Sequence, residues 1–329
     1  MVGILLVSIA VSITIGAAGL SLEEVGGSVA AHLTGTPSPL SPLRDGIVWE
    51  VRVPRVLTAA AVGAGLAICG AVMQALTRNQ LADPYLLGLS SGASLGAVAV
   101  LVLGISLAGV AVLLPIAAFA GAVLALLATL GLAGALGALT PTRMVLAGVA
   151  VSAFAGALTS LVIFWSATGD AYREILAWLL GSLAGARWPS ALVAGLALLA
   201  AGIPLLLSAR RLDAFAFGDA AAAALGVGVQ GTRWLLLVLA ALLTGALVSV
   251  SGAIGFIGLV VPHAVRLLSG PGHRALLPLA ALAGAVALLW ADTAARAAFE
   301  PRELPVGIVT AIAGAPIFAA LLARRRSEA

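Results

Sequence analysis

Apolar positions along this chain gather into long blocks, and the polar positions fall between the blocks rather than among them. Read between charges and Pro/Gly breaks, the blocks run over 2–20, 56–76, 88–105, 112–137, 144–166, 189–207, 234–251, 256–268, 275–295 and 304–323. Several reach the roughly 20 residues that cross a bilayer as a helix. No charge occurs between Asp83 and Arg143, which leaves room for two spans joined by a tight turn near "LGISLAG". The stretch from Trp234 to Val265 holds 32 uncharged residues. As one helix it would measure about 48 Å at 1.5 Å per residue, too long for one span and too short for two. The glycines of "SGAIGFIG", Gly252, Gly255 and Gly258, are predicted to break it into a full span and a shorter, displaced helix. Broken helices of this kind line a cavity rather than face lipid. The stretch 167–187 is short and amphipathic, and is expected to lie at the outer surface. The pattern predicts an all-α polytopic membrane protein, 1–329 forming one transmembrane domain of ten helices, one of them short and broken.

Composition sharpens this. The chain has 329 residues, is 62% hydrophobic and 9% charged, and has a mean hydropathy of +1.18. No soluble core needs so much apolar surface. All 17 basic residues are arginine, and a chain without lysine has no Walker A loop, Schiff base or lysine general base. Cys69 is the one cysteine, inside an apolar run, and His32, His263 and His273 are scattered. Neither pattern suggests a metal site, and no disulfide framework is possible. The start, "MVGILLVSIAVSITIGAAGL", lacks a basic region before its apolar stretch and reads as an uncleaved first span.

Arginine placement predicts sidedness. The even-numbered loops and the C-terminal tail carry ten arginines (Arg78, Arg143, Arg210, Arg211, Arg233, Arg266, Arg274 and Arg324 to Arg326) against four acids. The other side carries seven arginines and nine acids. The positive-inside rule then puts both termini and the arginine-rich side in the cytoplasm. Trp49, Trp165, Trp188 and Trp290 fall at predicted outer span ends and Trp234 at an inner one, where interfacial indoles belong. The 39 glycines and abundant alanine favour close helix packing.

Two motif matches fail on context. "GLSSG", Gly88 to Gly92, fits a nucleophile elbow, but its flanks are helical and in the membrane, so a serine hydrolase using Ser90 and His263 is rejected. "GVGVQG", Gly226 to Gly231, has no acid about twenty residues later, as a dinucleotide fingerprint requires. More informative is "GDAAAAALGVGVQGTRW", Gly218 to Trp234, which predicts a short cytoplasmic helix capped by Asp219 and stopped by Gly226. In "WADTAAR", Asp292 and Arg296 stand four apart and are expected to pair. Arg52 and Arg55 crowd the mouth of the second span in "WEVRVPRVLT". Asp292 can neutralise one arginine and Glu50 another, so a positive rim is expected to remain.

Three segments carry a resemblance. "RVPRVLTAAAVGAGLAICGAVMQALTRNQLADPYLLGLSSGAS", "SGAIGFIGLVVPHAVRLLSGPGHRALLPLAALAGA" and "ELPVGIVTAIAGAPIF" resemble the permease family of ABC importers for iron chelates, heme and cobalamin, over about residues 45–325. The resemblance implies a ten-helix permease acting as a homodimer, with the pathway at the dimer interface. It implies two cytoplasmic ATPase subunits, which hold the ATP, and a periplasmic or lipid-anchored substrate-binding protein. It implies no bound cofactor or catalytic residue in this chain, and no nucleic-acid partner. Arg52, Arg55 and Arg296 match outer-rim arginines that dock the binding protein. The coupling loop falls at about 212–232, with Asp219, Ala223, Leu225, Gly226 and Gly228 meeting the ATPase. Asn79, Leu81, Thr140 and Thr142 match the inner gate, and Thr168 the outer one. This chain has Asn79-Gln80 where the family often has Asn-Pro, and Thr140-Pro141 where it has a Ser/Thr pair.

The function implied is the permease subunit of an ATP-driven importer in a bacterial inner membrane, moving heme or a ferric siderophore, with cobalamin as the alternative. A stand-alone secondary transporter or channel is the reading from another class. It calls for ion-coupling carboxylates in mid-membrane, and the sequence places none away from span ends.

Overall fold

The computed structural model describes residues 1–16, 18–102, 107–135, 137, 140–166, 171–298 and 303–326. Helices α1 (Val2–Thr14) and α2 (Leu22–Thr34) precede the long α3 (Pro42–Thr77), after which a 3-10 turn covers Pro84–Leu87. Then come α4 (Leu89–Val102), α5 (Leu107–Ala135), α6 (Pro141–Ser166), α7 (Ala171–Leu179) and α8 (Trp188–Leu207). The short α9 (Ala209–Phe215) and α10 (Asp219–Ala224) lead into α11 (Val229–Ser251). The chain closes with α12 (Ile257–Ser269), α13 (His273–Ala297) and α14 (Val306–Arg326).

Among the described residues, six helices are long and apolar enough to cross a membrane, within α3, α5, α6, α8, α11 and α13. Four shorter apolar helices lie within α1, α4, α12 and α14. Together they occupy the ten predicted span positions. The first is shorter than expected, ending at Thr14, and the second begins earlier, at Pro42. That early start includes a π turn over Ile47–Arg52, directly before Pro54, whose missing N–H cannot serve the ordinary helical register. Helix α2 was not predicted. Its cap was nevertheless written in the sequence: Ser21 and Glu24 form a reciprocal capping box, and Gly35 ends the helix at φ 71°.

Helix α3 is the hub, packed against α13, α12, α11 and α8. Glycines set the spacing. A Cβ added at Gly63 would overlap the carbonyl oxygen of Gly284, and one at Gly70 that of Gly258. Helices α4 and α5 approach in the same way through Gly92 and Gly121. In lipid, where apolar burial gives helices no drive to associate, such close backbone contact supplies the dispersion that holds a bundle.

The break inside the long uncharged run is where the sequence put it, but glycine does only part of the work. Gly252 ends α11 at φ 67°, whereas Phe256, not a glycine, holds the second left-handed position at φ 69° and starts α12. The backbone groups of 251–254, which the break leaves without helical partners, are bonded from elsewhere. Ser182 N donates to the carbonyl of Ser251 at 2.9 Å. Tyr85 Oη donates to the carbonyl of Ile254 at 3.0 Å and accepts from Ile254 N at 3.2 Å. Irregular backbone at membrane depth survives only when it is satisfied in this way.

Gly70→Leu should force α3 and α12 apart and cost about 1–3 kcal/mol, read as a lower Tm in detergent. Gly131→Leu, where an added Cβ meets nothing, should leave the melt unchanged.

Candidate functional site

The alternation of helices leaves two ends, and the sequence-predicted residues divide between them. At one end, Arg52 closes the π turn, Arg55 sits in the next turn of α3, and Arg296 sits in the last turn of α13. They converge although Arg55 and Arg296 are far apart in the chain. All three are buried, at 6%, 4% and 7% exposure. The expected open rim of positive charge is therefore not what these side chains form. Arg55 grips Asp292 with two nitrogens: Nε lies 2.9 Å from Oδ2 and Nη2 lies 2.9 Å from Oδ1. Its Nη1 donates to Glu303 at 2.7 Å. Arg52 does not pair with Glu50; its Nη1 donates to the carbonyls of Ile13 at 2.7 Å and Thr14 at 3.1 Å. Those carbonyls have no helical partner because α1 ends there, so the guanidinium caps α1.

Arg296 donates from Nη2 to the carbonyl of Ser12 at 2.9 Å, and its Nε lies 3.8 Å from Asp292. The predicted Asp292–Arg296 pair exists, but Arg55 holds the carboxylate more closely. The arrangement fastens α1, α3 and α13 at one point. Glu303, with its side chain 43% exposed, is the part of the cluster that meets solvent.

At the other end lies the expected coupling segment. Helix α10 runs over Asp219–Ala224, but Gly218 at φ 96° is its cap and Asp219 its first helical residue. The Asp219 carboxylate is drawn instead to Arg233, which donates to it at 2.7 Å and lies over the Phe215 ring at 5.4 Å. That clasp ties α10 to α11 and α9. The end of α10 is a Schellman turn: Val227 N donates to Ala222 O and Gly226 N to Ala223 O, with Gly226 at φ 79°. Ala222 is buried, while Ala223, Leu225, Gly226 and Gly228 are exposed. Phe217 and Leu225 stand 80% and 68% exposed beside Arg210 and Arg211. Two recesses of about 390 and 320 Å³ flank the helix, meeting at Arg211 and Val227.

The predicted inner-gate residues lie at this same end. Asn79, Leu81, Thr140 and Thr142 are all exposed. Asn79 Oδ1 accepts from Leu81 N at 2.9 Å, and Thr140 Oγ1 accepts from Arg143 N at 3.4 Å. Arg78 ends α3 in a left-handed conformation without being glycine. Its Nη1 lies 3.2 Å from where a Cβ on Gly218 would stand, so the end of α3 and the start of α10 are in reach of each other. Asp83 caps the 3-10 turn by accepting from Tyr85 N at 2.8 Å, and burial raises its carboxyl to about 6. Thr168, the predicted outer-gate residue, lies outside the described residues.

Sequence reading missed Glu303, the Asp219–Arg233 clasp and α9. The first two are pairings across loops that no local spacing announces. Helix α9 follows directly on the span before it, with Ser208 as the only interruption.

The model of the FecCD transport family matches residues 4–324. The chain belongs to the FecCD transport family. Among curated relatives, the cobalamin import system permease protein BtuC of Halobacterium salinarum is 42% identical, covering 99% of this chain and 96% of its own length. The ABC transporter permease protein YvrB of Bacillus subtilis is 44% identical, over 86% of this chain and 80% of its own. The hemin transport system permease protein HmuU of Yersinia pestis is 44% identical, over 85% and 84%. A solved structure of a metal-chelate type ABC transporter in an inward-facing conformation is 32% identical, with a TM-score of 0.84, covering 98% of this chain and 97% of that one. PsaBC from Streptococcus pneumoniae shares the fold, with a TM-score of 0.59 at 18% identity. As a FecCD protein the chain is a multi-pass membrane permease of the ABC transporter class.

In this FecCD chain the arginine cluster is a test of buried-charge energetics. Asp292→Ala should leave Arg55 with only the half-exposed Glu303 and Arg296 with no carboxylate, and cost about 3–5 kcal/mol, seen as a large drop in Tm. Arg55→Met/Asp292→Leu together should recover only part of it, because Arg55 is no longer stranded while the buried Arg296 still loses its contact with Asp292.

Proposed function

We propose that this chain is the permease subunit of an ATP-driven importer, working as a homodimer of ten-span subunits with two cytoplasmic ATPase subunits and a substrate-binding protein. The observation that carries the reading is the surface around α10. A short helix with exposed Phe217 and Leu225, edged by Arg210 and Arg211, stands at the end of a bundle that contains no lysine of its own for ATP chemistry. Exposed aromatic and aliphatic anchors beside arginines are what a partner surface offers. In this reading the chain sits in a bacterial inner membrane, and the arginine count supports a cytoplasmic position for this end and both termini. The cargo we propose is heme or a ferric siderophore; the names of the relatives keep cobalamin as the second reading. Uptake of hemin, ferric siderophore and cyanocobalamin into proteoliposomes holding the full assembly decides between them.

The opposite end receives the binding protein in this proposal. Arg52 and Arg296 are committed to α1 and act there by holding the corner rigid. Arg55 has one nitrogen on the solvent-facing Glu303, so an incoming carboxylate has to compete with Glu303 for it. The outer gate near Thr168 and the inner gate of Asn79, Leu81, Thr140 and Thr142 complete the pathway by resemblance.

Two outcomes follow. Ala223→Arg, on an exposed face, should leave the Tm unchanged while abolishing ATPase co-purification or transport; normal transport would return α10 to a plain connecting loop. Glu303→Gln should tighten binding-protein docking a few-fold and steepen its loss with added salt. Unchanged affinity would remove Arg55 from the docking surface.

A further inference from the structure

At the end of the bundle that carries the arginine cluster, α7 and the start of α8 enclose a cavity of about 530 Å³ above the ends of α4, α5 and α11. Its walls are amphipathic. Leu101, Leu114 and the Trp178 ring supply an apolar floor, and Glu174, Arg187 and Ser190 lie on the polar side. Glu174 and Arg187 are both exposed, and among the described residues they form no ion pair with each other or with any other group. The hydrogen bond that the Arg187 guanidinium makes is to the carbonyl of Ala186.

Beyond the lining, α5 and α8 carry exposed apolar side chains, with Val112 65% and Leu192 61% exposed. The lining also includes Ser182, Ser249 and Ser251, and a wholly polar guest would leave Leu101, Leu114 and the indole without a partner. A wholly apolar guest would leave an acid and a base at its edge without use.

We propose that this cavity is a site for a zwitterionic phospholipid with a primary ammonium, phosphatidylethanolamine. The Arg187 fork takes the phosphate in bidentate fashion. Glu174 accepts from the ammonium, which has three N–H donors where a choline headgroup has none. The acyl chains lie over Leu101 and Leu114 and run out onto the faces marked by Val112 and Leu192. Trp178 sits at the headgroup level, where an indole is favoured. An anionic headgroup without the amine would satisfy Arg187 and set its charge against Glu174. The site therefore selects for the opposite-charge pair rather than for charge alone.

The test uses the full-length protein in nanodiscs of equal parts phosphatidylethanolamine and phosphatidylglycerol, transferred to detergent and read by native mass spectrometry. The wild type should retain phosphatidylethanolamine over phosphatidylglycerol by at least fivefold, and should retain phosphatidylcholine weakly when that lipid replaces it. Glu174→Gln should erase the preference, Arg187→Gln should lower retention of all three, and Ser190→Trp should abolish it by filling the cavity. The first two substitutions lie on exposed side chains, and an unchanged Tm identifies a variant that has folded. Equal retention of the two lipids by the wild type, or wild-type retention by a folded Ser190→Trp, would overturn the proposal. Displacement of the lipid by hemin or cyanocobalamin would overturn it too, by assigning the cavity to cargo. None of these readouts needs the ATPase, so the result stands apart from the transport reading.

Discussion

At Gly63 and Gly284 the backbones of α3 and α13 touch, with no side chain between them. Everything else in the bundle is arranged around that seam. Close approach lets α3 stay mostly buried from Val53 to Leu76 while α12, α11 and α8 pack its remaining faces. The seam also fixes the relative height of Arg55 and Asp292 at its end. Their bidentate contact would be lost if one helix slid by a turn. In a low-dielectric setting such a pair is costly to assemble and more costly to break, so it acts chiefly as a register lock.

The cluster around that lock explains why a membrane helix begins with two arginines. Arg52 ends on the free carbonyls of α1, Arg55 on Asp292 and Glu303, and Arg296 on Ser12. Each guanidinium meets groups that lipid cannot solvate. Arginine serves here because its planar fork offers several donors in fixed directions. The same corner therefore serves stability first, and meets solvent through Glu303.

At the opposite end, charge is used to hold short helices together. The Asp219–Arg233 contact keeps α10 on α11, and Arg78 reaches Gly218 from the end of α3. These contacts join α10 to the start of α11 and bring it within reach of the turn that ends α3. Between the two ends, the break at 252–256 borrows its hydrogen bonds from Tyr85 and Ser182. Those bonds tie the broken helix to the 3-10 turn at Pro84–Leu87 on one side and to the segment after α7 on the other.

The sequence by itself determined the membrane class, the ten apolar segments, the site of the broken helix, the alanine helix at 219 and the family. These follow from local quantities: the length of an apolar run, a cap, a glycine, a stretch of motif. It also carried the cap of α2, which hydropathy alone passed over. Only the tertiary structure decided where the arginines point. Arg55 finds Asp292 across 237 positions and Glu303 across 248, and no spacing rule connects residues so far apart. Burial turned an expected rim of charge into an internal clamp, because a guanidinium surrounded by helix ends loses water and must take carbonyls and carboxylates in its place. The same holds for Phe256, whose left-handed backbone is imposed by the elements packed around it rather than by its own preference.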